Sequence, residues 1–360
     1  MVYMMIEELF LPYPWCRRTL QGVYEESRRK RTTVREISSF KQLKPGGKCV
    51  LLVGTSENWI NAMAQEAKRA GLHPIALSNR HTMPSGQSIS SVMMDLHRSM
   101  QLAVDYLHGL GRRELALFGV NPSASSDSWR VQRFVELTGR SEHIFALQPT
   151  MEDAFRRFHA SVEKYDGAIC ASDYAAVLLI RRLCELGHPV PERLYVVGYG
   201  DMFLSRLSSP SISSISDDYE SFGRAALSIC NLVEKNETVS VINIHLNGRL
   251  HIRESTQNRP YAPASLAPAQ SELPENGFFH DPQIADMARL ELLFDQCDEV
   301  DFSLLYQLLQ GASYSSMAQQ CYLSETAAKY RVKKMQKMCC VDSREALAQY
   351  IQRIIRPRED

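Results

Sequence analysis

LYVVGYG, Leu194 to Gly200, is a short apolar run with no alternation of polar and apolar positions. Four more runs of this kind stand along the chain: CVLLVG (Cys49 to Gly54), HPIALS (His73 to Ser78), LALFGV (Leu115 to Val120) and GAICAS (Gly167 to Ser172). A strand that is apolar throughout is buried on both faces, as in a parallel sheet covered by helices; a sheet with one wet face would alternate. Amphipathic helical patterns fill the gaps, from Ile60 to Gly71, His97 to Leu110, Tyr174 to Leu186 and Tyr219 to Lys235. Gly71, Gly111 and Gly187 sit where helices end, as C-terminal caps do. Regular alternation of strand and helix predicts a doubly wound α/β architecture for the first 257 residues.

Beyond that point the pattern changes. Residues 258–283, NRPYAPASLAPAQSELPENGFFHDPQ, are rich in Pro, Ala and Ser without periodicity, and read as a linker. Residues 284–360 read as all-α. A helix from Ile284 to about Cys297 carries Met287, Leu290, Leu293 and Phe294 on one face. The stretch QGASYSSMAQQCYLSETAAKYRVKKMQKMCCVDSREAL, Gln310 to Leu347, then reads as two helices with a tight break at Tyr322-Leu323-Ser324. Ser324 is placed to cap the second of them, which runs from Glu325 to Met338 with Ala328, Val332, Met335 and Cys339 on one apolar stripe. Lys329, Arg331, Lys333, Lys334 and Lys337 lie elsewhere on that helix, against the single acid Glu325, in a chain whose formal net charge is +0. A local excess of cations on one helix is what neutralising phosphates requires, although such a face is often only a solvated one.

Composition limits the alternatives. A chain of 360 residues with 44% hydrophobic content holds two or three domains with an ordinary core. No apolar run approaches the length of a membrane span, and the N-terminal MVYMMIEELFLPYPWCRR has acids where an export signal has bases, so a cytoplasmic protein without a membrane partner is expected. The nine cysteines form no C-x-x-C pair, and the ten histidines no H-E-x-x-H, so neither a metal nor a disulfide framework is expected. Without a P-loop, G-x-S-x-G or dinucleotide fingerprint, no cofactor is expected, and nothing pairs a nucleophile with a base.

Two resemblances sharpen this reading. PERLYVVGYGDMFLSRLSSPSISSISDDYESFGRAALSICNLVEK, followed by HLNGRLHIREST, resembles the lac-repressor-type effector domain, a periplasmic-binding-protein-like fold, as does DLHRSMQLAVDYLHGLGRRELALFG (Asp95 to Gly119). The likeness covers nearly all of the first 256 residues. It implies two lobes, about 1–95 with 215–235 and 96–212 with 240–256, crossed near Asp95, Ser213 and Asn236. The segment Gln310 to Leu347 resembles the LuxR/FixJ-type helix-turn-helix, with Cys297-Asp298-Glu299-Val300-Asp301 in place of that family's usual opening and Cys340 in place of its usual glycine. The usual N-terminal headpiece of the first family is not seen, so the reader domain is expected at the C-terminal end.

The resemblances imply site residues. Pro14-Trp15 matches an aromatic that stacks on a sugar, Arg130 a donor of paired hydrogen bonds, and Ser172-Asp173 and Asp201 polar groups at strand ends. Gly200 stands where many relatives have an acceptor, which leans the expected effector from a plain sugar toward a related polar metabolite of acidic character. Each residue also has a structural role open to it: Trp15 in a lobe core, Arg130 on a helix, Asp173 as a helix cap, Asp201 in its own turn. Ser324, Thr326, Lys329, Tyr330, Lys333 and Lys334 are the expected contacts to double-stranded DNA. The expected function is a ligand-responsive transcription regulator, acting as a homodimer; a solute-binding protein without a DNA role is the alternative.

Overall fold

The computed structural model describes residues 1–11, 14–78, 89–236, 238–257 and 281–355. The expected linker 258–283 falls outside the described residues as far as position 280. In chain order the elements begin with β1 (Val2–Ile6), α1 (Pro14–Arg29), β2 (Val34–Glu36), β3 (Cys49–Val53), α2 (Glu57–Arg69), β4 (His73–Leu77), β5 (Ser90–Met94) and α3 (Leu96–Gly109). There follow β6 (Leu115–Val120), α4 (Ser125–Thr138), β7 (Ile144–Ala146), α5 (Met151–His159), β8 (Gly167–Cys170), α6 (Asp173–Glu185), β9 (Tyr195–Tyr199), α7 (Phe203–Leu207), β10 (Ser213–Ser216) and α8 (Tyr219–Lys235). The short strands β11 (Asn243–Leu246) and β12 (Arg249–His251) close the α/β part. Five helices complete the chain: α9 (Pro282–Asp295), α10 (Glu299–Leu309), α11 (Tyr314–Gln320), α12 (Glu325–Met338) and α13 (Arg344–Ile355).

The chain forms two compact units, the first made of Met1–Gln101, Ala124–Arg133 and Asp217–Arg249, the second of Leu102–Ser123, Phe134–Ser216 and Leu250–Asp360. Unit one holds a six-stranded sheet in the order β11-β5-β4-β3-β1-β2. Its paired strands run parallel, with Leu51 of β3 opposite both Met4 of β1 and Ile75 of β4. The five residues of β3 are buried on both faces, as its unbroken apolar sequence requires. Helices α1 and α8 cover one face with Cys16, Val23, Phe222, Ala226 and Ile229 in the core. They meet through glycine: a Cβ on Gly223 would lie 2.2 Å from the carbonyl oxygen of Thr19, and one on Gly22 2.0 Å from that of Glu220. Two backbones this close leave no room for a methyl group, which explains the glycine in the Gly223-Arg224 motif of α8.

Two assignments are corrected here: residues 96–212 were expected together in the second lobe, but Ala124–Arg133, which holds Arg130, belongs to unit one. Residues from 240 onward were expected in the second lobe, but β11 is the edge strand of the first sheet, with Asn243 opposite Ser91 and Leu246 opposite Met94. The Ser91 hydroxyl donates to Asn243 Oδ1 at 2.8 Å. NIHL is a half-exposed alternating strand, so its pattern fits an edge of either sheet, and only its pairing partner decides.

Unit two holds the sheet β12-β10-β9-β8-β6-β7, parallel from β10 through β7. Its closing segment, Arg253-Glu254-Ser255-Thr256, is a set of staples. Arg253, 1% exposed, donates to the Ile212 carbonyl at 2.8 Å and to Asp201 Oδ1. Glu254 accepts from the N–H and hydroxyl of Ser211 at 2.8 and 2.9 Å. Ser255 accepts from Ser213 N–H at 2.8 Å and donates to the Val196 carbonyl at 2.6 Å. The Thr256 hydroxyl bonds those of Ser213 and Tyr106.

The C-terminal helices belong to unit two as well. Ile284, Met287, Leu290, Leu293 and Phe294 of α9 share one continuous core with Val177, Ile180, Leu204 and Ile212 of the α/β part, and with Leu304, Leu308, Val332, Leu347 and Ile351 of the helices that follow. Polar bonds reinforce the seating: Met151 N–H to Asp281 Oδ2 at 2.9 Å, Arg181 to Gln283 Oε1 at 2.6 Å, and Ser209 N–H to the Ile355 carbonyl at 2.8 Å. Among the described residues no helix is long and apolar enough to cross a membrane.

The staples can be tested. Arg253→Met leaves a buried carboxylate and a carbonyl short of a donor, and is expected to cost about 3–5 kcal/mol in denaturant unfolding. A loss under about 1 kcal/mol would mean that the pair carries little of unit two. Gly223→Ala is expected to cost about 1–3 kcal/mol, because α1 and α8 must move apart.

Candidate functional site

In unit one, an aromatic and charged cluster forms where α1, α4 and the start of α8 supply side chains. Trp15 of α1 is buried, with ring centroids of Phe10 and Tyr219 at 5.8 and 6.3 Å. Arg130 of α4 is buried and bonds Asp127 one turn back on the same helix. Arg18 of α1 grips Glu220 with two bonds of 2.8 and 3.0 Å. Asp217 completes the cluster. It is 3% exposed and accepts from the Tyr219 hydroxyl at 3.0 Å through Oδ2, while Oδ1 has no hydrogen-bond partner. Burial pushes the Asp217 carboxyl up; the charge of Arg130, the Tyr219 bond and Arg18 pull it down. An unpaired buried acceptor beside an arginine is a position that asks for a donor.

Sequence reasoning missed Asp217. Asp217-Asp218 precedes a helix, and a capping acid explains one of the two: Asp218 accepts from Ser221 N–H at 2.9 Å and is the cap of α8. The second acid was the available signal, because one cap does not need two.

The residues expected at strand ends in unit two are held by the protein itself. Ser172 caps α6, its hydroxyl accepting from Ala175 N–H at 3.2 Å, so Asp173 is the first helical residue and not the cap. Asp173 is fully buried. Its Oδ1 accepts from the Ser214 hydroxyl at 2.6 Å and its Oδ2 from Met202 N–H at 2.7 Å. A Cβ on Gly198 would come within 2.2 Å of Asp173 Oδ1, so the strand beside it must be bare. Burial raises the Asp173 carboxyl from the usual 3.8 to about 6, against the bonds from Ser214 and Met202. Asp201 has φ of +49° and follows Gly200 at +120°, a conformation that glycine adopts at least cost. Both Asp201 oxygens are used, one by Arg253 and one by Arg206 at 2.6 Å, and His251 Nε2 is 3.7 Å away. Trp15 and Arg130 thus lie in unit one, and Ser172, Asp173 and Asp201 in unit two, where the three serve the local scaffold.

The C-terminal helices present a different surface. Asp298 and Asp301 form a reciprocal capping box at the start of α10, an opening that the expected family pattern did not foretell. Ser313 and Ser324 cap α11 and α12 by accepting from Ser316 and Ala327 N–H at 3.2 and 3.1 Å. Cys340 takes φ of +55°, the left-handed conformation that a glycine would enter more readily. The stripe Ala328, Val332, Met335 and Cys339 is buried as its spacing predicts. Ser324, Thr326, Lys329, Tyr330, Lys333 and Lys334 are all exposed, Tyr330 at 73%. Arg331 stands apart from this face: its guanidinium binds Asp298 at 2.9 Å and Asp301 at 2.8 Å, tying α12 to α10. Lys329 pairs with Glu325 at 2.6 Å one turn earlier. Tyr322, in the turn before α12, is 98% exposed at φ of +54°. A groove of about 540 Å³ beside α10 is lined by Leu207, Phe294, Phe302, Tyr306 and Ile351, and holds none of the residues expected to bind ligand. No group of three metal-ligating side chains occurs among the described residues.

Two six-stranded sheets of this order, parallel in all their described pairings, match a periplasmic-binding-protein-like effector fold of the kind found in LacI-family regulators. The family described as a periplasmic binding protein-like domain matches residues 104–256. The chain is 25% identical over 161 residues to the uncharacterized HTH-type transcriptional regulator YvdE of Bacillus subtilis, a match covering 43% of this chain and 51% of that one. It is also 25% identical over 237 residues to NtdR, the NTD biosynthesis operon regulator of the same organism, covering 63% and 70%. Thus the chain spans about half the length of the first relative. Among solved structures, the complex of the transcriptional regulator CelR with cellobiose superposes with a TM-score of 0.56 at 20% identity, over 71% of this chain and 84% of that one.

The buried Asp173 sets a pH dependence. Its carboxyl is raised in the folded protein, so the folded state binds the extra proton, and that stability is complete below about pH 3.8 and lost as pH rises through about 6. The melting-temperature advantage of the wild type over Asp173→Asn should therefore shrink between these values. An advantage that grows with pH would show that Asp173 is held as a stabilised carboxylate.

Proposed function

We propose that this protein is a ligand-responsive transcription regulator whose α/β units take a small polar effector and whose C-terminal helices bind double-stranded DNA. The observation that carries the reading is the exposed face of α12. Lys329, Lys333 and Lys334 stand with Thr326 and Tyr330 on a helix whose opposite side is buried and whose start is capped by Ser324. A short capped helix, a tight turn and a second helix with exposed bases is a helix-turn-helix arrangement of the LuxR/FixJ type, and such a second helix enters the major groove. The curated relatives named as HTH-type and operon regulators support a role in transcription regulation. A two-fold dimer belongs to the proposal, since one short recognition helix reads few bases and pairing doubles its reach.

For the effector, the proposed residues are Trp15, Tyr219, Arg130 and Asp217 of unit one. Asp217 Oδ1 asks for a hydroxyl donor, and the Trp15 and Tyr219 rings lie close together in the core of the same unit. These features favour a polyhydroxylated ring, a sugar or a close relative, over the acidic character suggested by Gly200. The bound cellobiose named for CelR is in keeping with that class. An effector shifts DNA binding only if it favours one arrangement of the protein over another.

Gel shifts with fragments of genomic DNA test the reading. Lys329→Ala and Lys333→Ala should each weaken binding by about 1–3 kcal/mol, and loss of a phosphate contact should lower the salt slope by about one. Wild-type protein that binds no fragment at moderate salt would leave the solute-binding alternative. Thermal shifts with a panel of mono- and disaccharides test the effector. Asp217→Ala should abolish any stabilisation that the wild type shows.

A further inference from the structure

One buried acid has no part in either proposed site. Glu291 lies in the middle of α9, 4% exposed, in a helix whose neighbouring core positions are Met287, Leu290, Leu293 and Phe294. Its Oε1 accepts from Phe203 N–H at 2.6 Å and its Oε2 from Leu204 N–H at 2.8 Å. These are the first two amides of α7, a helix of the α/β part. The amide just before them, Met202 N–H, goes to Asp173 at 2.7 Å. Three successive backbone donors are thus divided between a carboxylate on α6 and a carboxylate on α9.

The other end of α7 is held as firmly. Arg206 bonds Asp201 through its carboxylate at 2.6 Å and its carbonyl at 3.1 Å, and Asp201 is also bound by the closing Arg253. The ring of Phe203 stacks on Phe302 of α10 at 5.7 Å and lies 6.3 Å from Phe294 of α9. Just beyond α7, Ser209 N–H bonds the carbonyl of Ile355 at the end of α13. An apolar residue at position 291 would fill the same space without the cost of burying a carboxyl, but it would orphan two amides. Burial and the charge of Asp295 push that carboxyl up to about 8, while the two amide bonds pull it down.

We infer that Glu291 is a positioning residue that latches the C-terminal helices to α7, so that a change in the Asp201–Arg206–Arg253 cluster is passed through α7 to α9 and α10. The latch relays the state of the effector domain to the module that carries the lysine face. Only this consequence rests on the proposed function. The physical link from the cluster through α7 to α9 stands or falls without DNA or effector.

Hydrogen–deuterium exchange on the full chain tests the link. The variants are E291Q, which keeps the shape and one acceptor, R206Q, which loosens the cluster from within α7, and the double variant. In E291Q the side chain offers one acceptor in place of two, so one of the Phe203 and Leu204 amides should exchange about tenfold faster or more, while β8 and β9 keep wild-type protection. In an otherwise wild-type chain R206Q should raise exchange in α9 and α10, and in the E291Q background it should add little there. That non-additivity is the signature of a relay. If R206Q changes α9 and α10 equally in both backgrounds, or changes neither, the relay is overturned. If E291Q loses protection throughout both sheets, Glu291 is a keystone of the fold and the latch is equally overturned. Failure of the gel shifts with these exchange results intact would remove the DNA reading and leave the latch.

Discussion

Arg253 brings a full charge into the interior of unit two at 1% exposure, and much of that unit is arranged to receive it. A buried cation is tolerated only when paired and hydrogen-bonded on the spot. Asp201 supplies the pairing, Ile212 the carbonyl, Ser213 and Ser214 bind the backbone of Arg253 and Asp201, and Ser211 binds the Glu254 carboxylate. From this requirement follow the left-handed turn at Gly200 and Asp201, the placement of α7 immediately after it, and the bond from Met202 to Asp173. The polar residues of β10 are therefore not a flaw in an apolar sheet. They fix the backbone of Arg253 and Asp201 and the side chain of Asp173 around the buried ion pair.

The same constraint explains why residues that look like ligand contacts in unit two serve the fold. Asp173 and Asp201 have every oxygen engaged by the protein. Unit one differs, because Asp217 keeps an unsatisfied oxygen in a cluster with Tyr219 and Arg130. An acid that is buried and incompletely bonded is where stability has been given up, and function commonly accounts for that.

The C-terminal helices are seated on the α/β part through one continuous apolar core and a buried carboxylate. A module held in this way moves with the surface beneath it, whereas a tethered one would be indifferent to it. In a regulator this distinction decides whether effector binding can be felt at the DNA. The helix α7, only five residues long, is the element at which the cluster and the module meet.

The sequence by itself determined many of the elements, among them β3, β4, β6, β8 and β9 and the helices α2, α3, α6 and α8, but not α1, α4, α5, β5 or β10. Continuous apolar runs specified parallel strands because burial on both faces favours apolar residues, whereas the buried serines of β5 and β10 break that pattern; periodicity placed α8 from Tyr219 to Lys235 and the buried stripe of α12. It also showed the lysine face, since charges on a helix can be placed by counting. What it left open was whatever depends on a partner distant in the chain. β11 could have joined either sheet until its pairing with β5 was seen. Arg331 counted with the open bases until Asp298 and Asp301 were found beside it. Asp217 looked like half of a cap, and Glu291 like one more residue of an amphipathic helix. Local pattern records which face a side chain is on, but pairing and desolvation are properties of what the fold brings to that face, and only the tertiary structure supplies them.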